Sequence, residues 1–77
     1  MSTQLWNPAT DDHLEGRFHD FGGLVSVIET DDGSFWLLDA RAEALLRGHS
    51  PQEAQRVQVT FRGHSTWRTS NYEVALR

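Results

Sequence analysis

Apolar and polar positions alternate with a period of two along most of this chain, the mark of strands that bury one face. Leu14, Gly16, Phe18 and Asp20 alternate with Glu15, Arg17 and His19, which predicts a first strand over His13–Phe21. Gly16 in mid-strand predicts a bulge or a sharp coil there. Gly22-Gly23 reads as the turn out of that strand. Leu24–Ala40, LVSVIETDDGSFWLLDA, reads as one β-hairpin, two apolar runs joined by an acidic turn closing on Asp32-Gly33. Asp-Gly between β-rich runs is a strong hairpin signal, because glycine takes positive φ without a Cβ clash. Further on, Val57, Val59 and Phe61 alternate with Gln58, Thr60 and Arg62, and Tyr72, Val74 and Leu76 with Glu73, Ala75 and Arg77. Ser70-Asn71 predicts the turn between these last two strands.

The period changes once. Asp39 is a good N-cap for a helix over Ala40–Arg47, with Ala42, Leu45 and Leu46 as a narrow apolar stripe and Gly48 as its stop. Ser50-Pro51-Gln52-Glu53 has the form of a capping box, which predicts a second helical turn over 51–55. Residues 1–12 read as a loosely ordered arm, with Leu5 and Trp6 as its only apolar content beyond the initial methionine and Ala9, and a turn at Asn7-Pro8. The expected order is β-β-β-α-β-β over residues 13–77, an all-β fold with one short helix. A five-stranded Greek-key barrel is its compact solution, since closing the sheet removes its edges.

Seventy-seven residues without a cysteine form one small domain that has no disulfide or thiolate metal site to staple it. Three tryptophans, one tyrosine, four phenylalanines and the Val/Leu/Ile set must supply the core. The first residues show neither a basic start nor an apolar h-region, and no apolar run approaches the roughly 20 residues that span a bilayer. A soluble cytoplasmic protein that does not touch membranes is the expectation.

With the layout in hand, the chain resembles the OB-fold, and in particular small stand-alone barrels such as bacterial translation initiation factor one and its S1-like relatives. The residues that carry the resemblance are Leu14-x-Gly16-x-Phe18, the hairpin ending in Asp31-Asp32-Gly33, and Arg56-Val57-Gln58-Val59-x-Phe61 after the helical connection. A small SH3-like barrel is the alternative architecture; the helix before the fourth strand favours OB.

Charge is unevenly placed. Residues 1–39 carry eight acids against Arg17 alone, net −7, whereas residues 40–77 carry six arginines against three glutamates, net +3. Every basic residue is arginine, a bias that codon usage in a GC-rich genome explains. The net charge of −4 argues against sequence-independent binding of polyanions, which needs a broad positive field.

Two stretches are candidate binding sites. The first is the turn region of the last two strands, Arg62 to Asn71. Strict alternation places Arg62, His64, Thr66 and Arg68 on the face opposite Val57, Val59 and Phe61. A two- or four-residue turn there pairs Trp67 with Tyr72 and Thr66 with Glu73, and Arg62 then lies opposite Arg77. The resemblance implies that this loop grips ligands. The alternative is a solvated face with Trp67 capping the barrel. The second stretch is Phe35-Trp36: neighbours in a strand point to opposite faces, so one ring faces the core and the other faces out. In OB-like binders an outward aromatic here stacks on bases; the alternative is that the helix or the Trp6 arm covers it.

Catalysis and cofactors find no support. His13, His19, His49 and His64 lack metal-ligand spacing, and His64-Ser65 are strand neighbours that cannot act as base and nucleophile. Asp11-Asp12 and Asp31-Asp32 fall in a tail and a turn tip, where water keeps their acidity ordinary. The expectation is a non-catalytic binding module without metal or cofactor, docking to a macromolecule. A protein partner is preferred, with the chain as inhibitor or adaptor presenting its acidic face to a basic surface. Single-stranded nucleic acid or another anionic ligand, held by Arg62, His64, Trp67, Arg68 and the outward one of Phe35 and Trp36, is the rival. The oligomeric state is left open.

Overall fold

In the computed structural model, which describes residues 3–22 and 25–77, six strands and one helix follow in order. They are β1 (Thr3–Leu5), β2 (His13–Phe21), β3 (Val25–Glu29), β4 (Phe35–Leu37), α1 (Ala40–Gly48), β5 (Arg56–His64) and β6 (Ser70–Leu76). They form one sheet in the order β1-β4-β3-β2-β5-β6. The chain is therefore mostly β with one short helix, and the sheet is not closed into the five-stranded barrel expected from the sequence. Gly23 and Leu24, read as part of a turn and the start of the hairpin, lie outside the described residues.

The long strand β2 organises the sheet. Its first half pairs with β5 through His13–Arg17 and its second half with β3 through Arg17–Phe21, both antiparallel. The connection through α1 thus returns β5 beside β2, a Greek-key order. Gly16 sits at the changeover of partners. It keeps regular register with Val57 and makes no bulge; a Cβ there would lie 2.2 Å from the Glu29 carbonyl oxygen. Glycine is needed at this point for close approach of β2 to β3.

The expected alternation holds in the core. Leu14, Phe18, Ile28, Val57 and Val59 are buried together with Leu38, Ala42 and Leu46 from the helical connection. Asp39 caps α1, its carboxylate accepting from the Ala42 backbone N–H at 2.8 Å. The helix ends one residue later than expected: Gly48 is its last residue, and Ser50, at φ +53°, takes the left-handed position. No second helical turn follows. Glu53 reaches across to β2 instead of closing a capping box, and Ala54, at φ +64°, donates its N–H to the Phe18 carbonyl at 2.7 Å. The segment serves as a strap along β2.

Two further differences matter for function. The residues read as an N-terminal arm supply β1, which pairs in parallel with β4, and Trp6, which is 3% exposed and belongs to the core. The last hairpin also has another register. Phe61 pairs with Tyr72, Val59 with Val74 and Val57 with Leu76, so Ser70 and Asn71 lie within β6 and the turn is Ser65–Thr69. This register sets apolar residues opposite apolar ones, and it replaces the expected Arg62–Arg77 pairing with Arg62–Glu73 contacts at 3.1 and 3.2 Å. Arg77 donates to Gln58 instead. Tyr72 of β6 meets the residue after β1 and the cap of α1: the Trp6 and Tyr72 rings are 5.7 Å apart, and the Tyr72 hydroxyl donates to the Asp39 carboxylate. Burial, then that carboxylate, push the Tyr72 hydroxyl up to about 12.

Candidate binding recess

A concave surface lies where the chain leaves β1 and meets the β3–β4 turn. Trp6 anchors one wall, its indole N–H donating to the Asp11 carbonyl at 2.8 Å. The turn that follows is held by Asn7, whose carbonyl accepts from the Thr10 and Asp11 N–H groups and whose side chain accepts from Ala9. This places the Asp11 carboxylate at the rim, where it accepts from the His13 N–H at 3.2 Å.

The opposite wall is the turn Thr30–Ser34. Gly33, at φ +85°, donates to the Thr30 carbonyl, and Thr30 donates to the Ser34 carbonyl, both at 2.9 Å. The Asp32 carboxylate accepts from the Thr30 hydroxyl at 2.5 Å and from the Ser34 N–H at 3.0 Å, bonds that hold its pKa below the usual carboxylate range. Between the walls Leu5, Leu14 and Trp36 supply apolar lining, and the recess measures about 590 Å3. That volume lies in the range of ligand sites.

Four carboxylates line this recess, Asp11, Glu15, Asp31 and Asp32, against one guanidinium, Arg56. With His13 neutral its lining carries a net −3. Arg56 donates to Glu15 at 3.0 Å and, through two nitrogens, to Asp31 at 3.2 and 3.1 Å. The same bonds hold Glu15 and Asp31 below their ordinary acidity range and raise Arg56. Among the described residues no cation pairs with Asp11 or Asp32. The recess therefore shows how a guanidinium is gripped and retains two carboxylates that hold none.

The six residues singled out in the sequence fall in three places. Trp36 packs against the core and lines the recess, and Phe35 faces the other side of the sheet. There it lies 6.4 Å from the His19 ring and shares a small hollow of about 230 Å3 with Thr3, Phe21 and Val27. Arg62 is tied to Glu73. His64 is not on Arg62's face: a bulge at Gly63, φ +89°, breaks the alternation, and the His64 ring packs edge-on against Phe61 at 5.3 Å. Trp67 and Arg68 stand at the tip of the β5–β6 hairpin. Trp67 is 88% exposed, so it caps nothing. The structure does not gather these six residues into one site.

Sequence reasoning passed over the recess because its acids come from segments far apart in the chain: Asp11, Asp31 and Asp32 looked like solvated loop carboxylates, and Glu15 like an outward strand residue. The excess of acid in the first half was the available signal. On the sheet face that carries Phe35, His19 joins two further carboxylates, Glu29 at 2.9 Å and Glu53 at 2.5 Å. Its pKa is raised, first by the hydrogen bond to Glu53, against an opposing effect of burial. Glu53 is lowered in turn, chiefly by the Asp20 backbone N–H it accepts at 2.9 Å. Among the described residues, no group of three His, Cys, Asp or Glu side chains is placed to hold a metal ion, and no helix is long and apolar enough to cross a membrane. Comparisons with protein-family models, with curated proteins and with solved structures find no match to this chain.

Proposed function

We propose that this chain is a non-catalytic binding module, an OB-like barrel left open on one side, that docks through its acidic recess onto a basic protein surface. The OB-like reading is supported by the Greek-key order around β2 and by the helix that precedes β5. The observation that carries the function is the recess itself: a concave, partly apolar surface of net −3 in which one guanidinium is already held by two carboxylates while Asp11 and Asp32 hold none. A lysine or arginine of a partner gains both charge complementarity and a partly buried aromatic neighbour, Trp36. The nucleic-acid reading has less support, because three of the seven arginines, Arg47, Arg56 and Arg62, are already paired with carboxylates.

The test is a titration of the isotope-labelled protein with a short oligo-arginine peptide and, separately, with a single-stranded oligonucleotide. The peptide is expected to shift the Trp36 indole and the backbone amides of Asp11 and Asp31, and Asp11→Asn to weaken it several-fold with the thermal midpoint kept. Shifts produced by the oligonucleotide at physiological salt, with none from the peptide, would overturn this reading.

A further inference from the structure

The β5–β6 hairpin ends in a tip that is ordered from within and offers its largest side chain to solvent. Ser65 and Thr69 close it with a backbone bond of 2.8 Å, Arg68 donates to the Ser65 carbonyl at 2.9 Å, and the Ser65 hydroxyl accepts from the Trp67 and Thr69 N–H groups at 3.3 and 3.2 Å. Trp67 is nevertheless 88% exposed, more than any other large hydrophobic side chain among the described residues. Arg68 occupies the left-handed region at φ +61°, where glycine would be free of strain. A rigid loop that tolerates strain to display an indole beside a guanidinium has the form of an interface anchor, since tryptophan and arginine dominate binding hot spots and little ordering entropy remains to be lost.

The anchor calls for a partly apolar recess lined by carboxylates, and the protein carries one. We infer that the Trp67–Arg68 tip of one copy docks in the acidic recess of a second copy, head to tail. The inference rests on the reading of the recess as a site for cationic side chains and names its occupant. Complementary charge supports it: the recess has a net −3 lining with Asp11 and Asp32 unpaired by any described cation, and Arg68 forms no ion pair among the described residues. The chain does not satisfy its own recess, for no residue of the tip lines it. Apolar surface is available on both sides, Trp67 from the tip and Leu5 and Trp36 from the recess. The contact is heterologous, so a head-to-tail dimer leaves one tip and one recess free in all, and association continues with concentration instead of stopping at a dimer.

Sedimentation of the full chain tests this. At low salt the weight-average mass is expected to rise above the 8.8 kDa monomer as concentration increases from about 10 µM to about 500 µM, and to fall back when salt is added. Trp67→Ser and Arg68→Glu each alter an exposed side chain and are expected to weaken association by roughly tenfold or more, with the thermal midpoint little changed. Asp11→Arg is expected to do the same from the recess side. The decisive step mixes Arg68→Glu, which keeps its recess, with Asp11→Arg, which keeps its tip. Together they should form a one-to-one dimer that grows no further. A wild-type chain that stays monomeric throughout overturns the inference, as does association that survives both tip substitutions. If the oligo-arginine peptide binds while the chain remains monomeric, the recess reading stands and only its occupant is wrong.

Discussion

The β3–β4 and β5–β6 hairpins are closed by the same five-residue turn, built from different residues. In the first, Thr30 and Ser34 close the loop, the N–H of Gly33 donates to the Thr30 carbonyl, and Gly33 takes φ +85°. In the second, Ser65 and Thr69 close it, the N–H of Arg68 donates to the Ser65 carbonyl, and Arg68 takes φ +61°. Each has a side-chain brace, the Asp32 carboxylate in one and the Ser65 hydroxyl in the other. The first turn has the residue its backbone wants, and its register follows from the turn. In the second the left-handed position is given to arginine, so register must come from the strands: Val57–Leu76, Val59–Val74 and Phe61–Tyr72. Backbone preference set the register of one hairpin, and strand pairing that of the other.

Four experiments would break or sharpen this comparison. The largest effect is expected for Val59→Ala, which removes a fully buried side chain paired with both Leu14 and Val74. It should cost about 2–4 kcal/mol in urea melts, and Gln58→Ala on the other face much less. Equal costs would mean that the core does not hold the β5–β6 register.

Next comes Gly33→Val. A Cβ at this position meets no neighbour, so the cost is conformational alone and should be about 1–3 kcal/mol. Asp32→Ala, which loses the brace on an exposed turn, should lower the urea midpoint far less. If the valine variant melts with or above the alanine variant, the first turn owes its stability to the brace and not to glycine.

A smaller change of opposite sign is expected for Arg68→Gly, which relieves the strain at φ +61° and should raise stability by about 0.5–1 kcal/mol. The same substitution should weaken self-association. A destabilised Arg68→Gly would show that the arginine side chain supports the fold.

The smallest difference concerns pH. His19 ties the β2–β3 hairpin together through Glu29 and to the strap before β5 through Glu53, whereas the β5–β6 hairpin is tied by Arg62 to Glu73 with no histidine in the pair. His19 has a folded pKa raised above 6.5, so its stabilisation is complete below that value and is lost as pH rises through the raised pKa. Glu53 is lowered from 4.5, so its stabilisation is present above that value and is lost as pH falls through the lowered pKa. Thermal midpoints should therefore be highest from about pH 4.5 to 6.5 and decline toward pH 8. His19→Gln should flatten the decline on the alkaline side, and an unchanged slope in that variant would remove His19 from the account.

Much of the fold was legible in the residues. The alternation of β2 and β5, the apolar run of β3, the Asp32-Gly33 turn and the Asp39 cap are encoded within a few positions of one another, and local sterics and hydrogen bonding act at that range. Local sequence thus determined the cores of β2, β3, β4 and β5, the start of the helix and the buried faces of β2 and β5. The last turn was not legible, because the left-handed position it needs is filled by Arg68, which advertises no turn, while Ser70-Asn71 advertises one that the strand pairing overrides. Tertiary structure alone decided the rest. It recruited Thr3–Trp6 into the sheet and core, turned Trp36 inward and Phe35 outward, shifted His64 across the strand through the Gly63 bulge, and gathered Asp11, Glu15, Asp31 and Asp32 around one recess. Each of these depends on contacts between residues distant in the chain, where burial of apolar surface and the pairing of charges outweigh local preference.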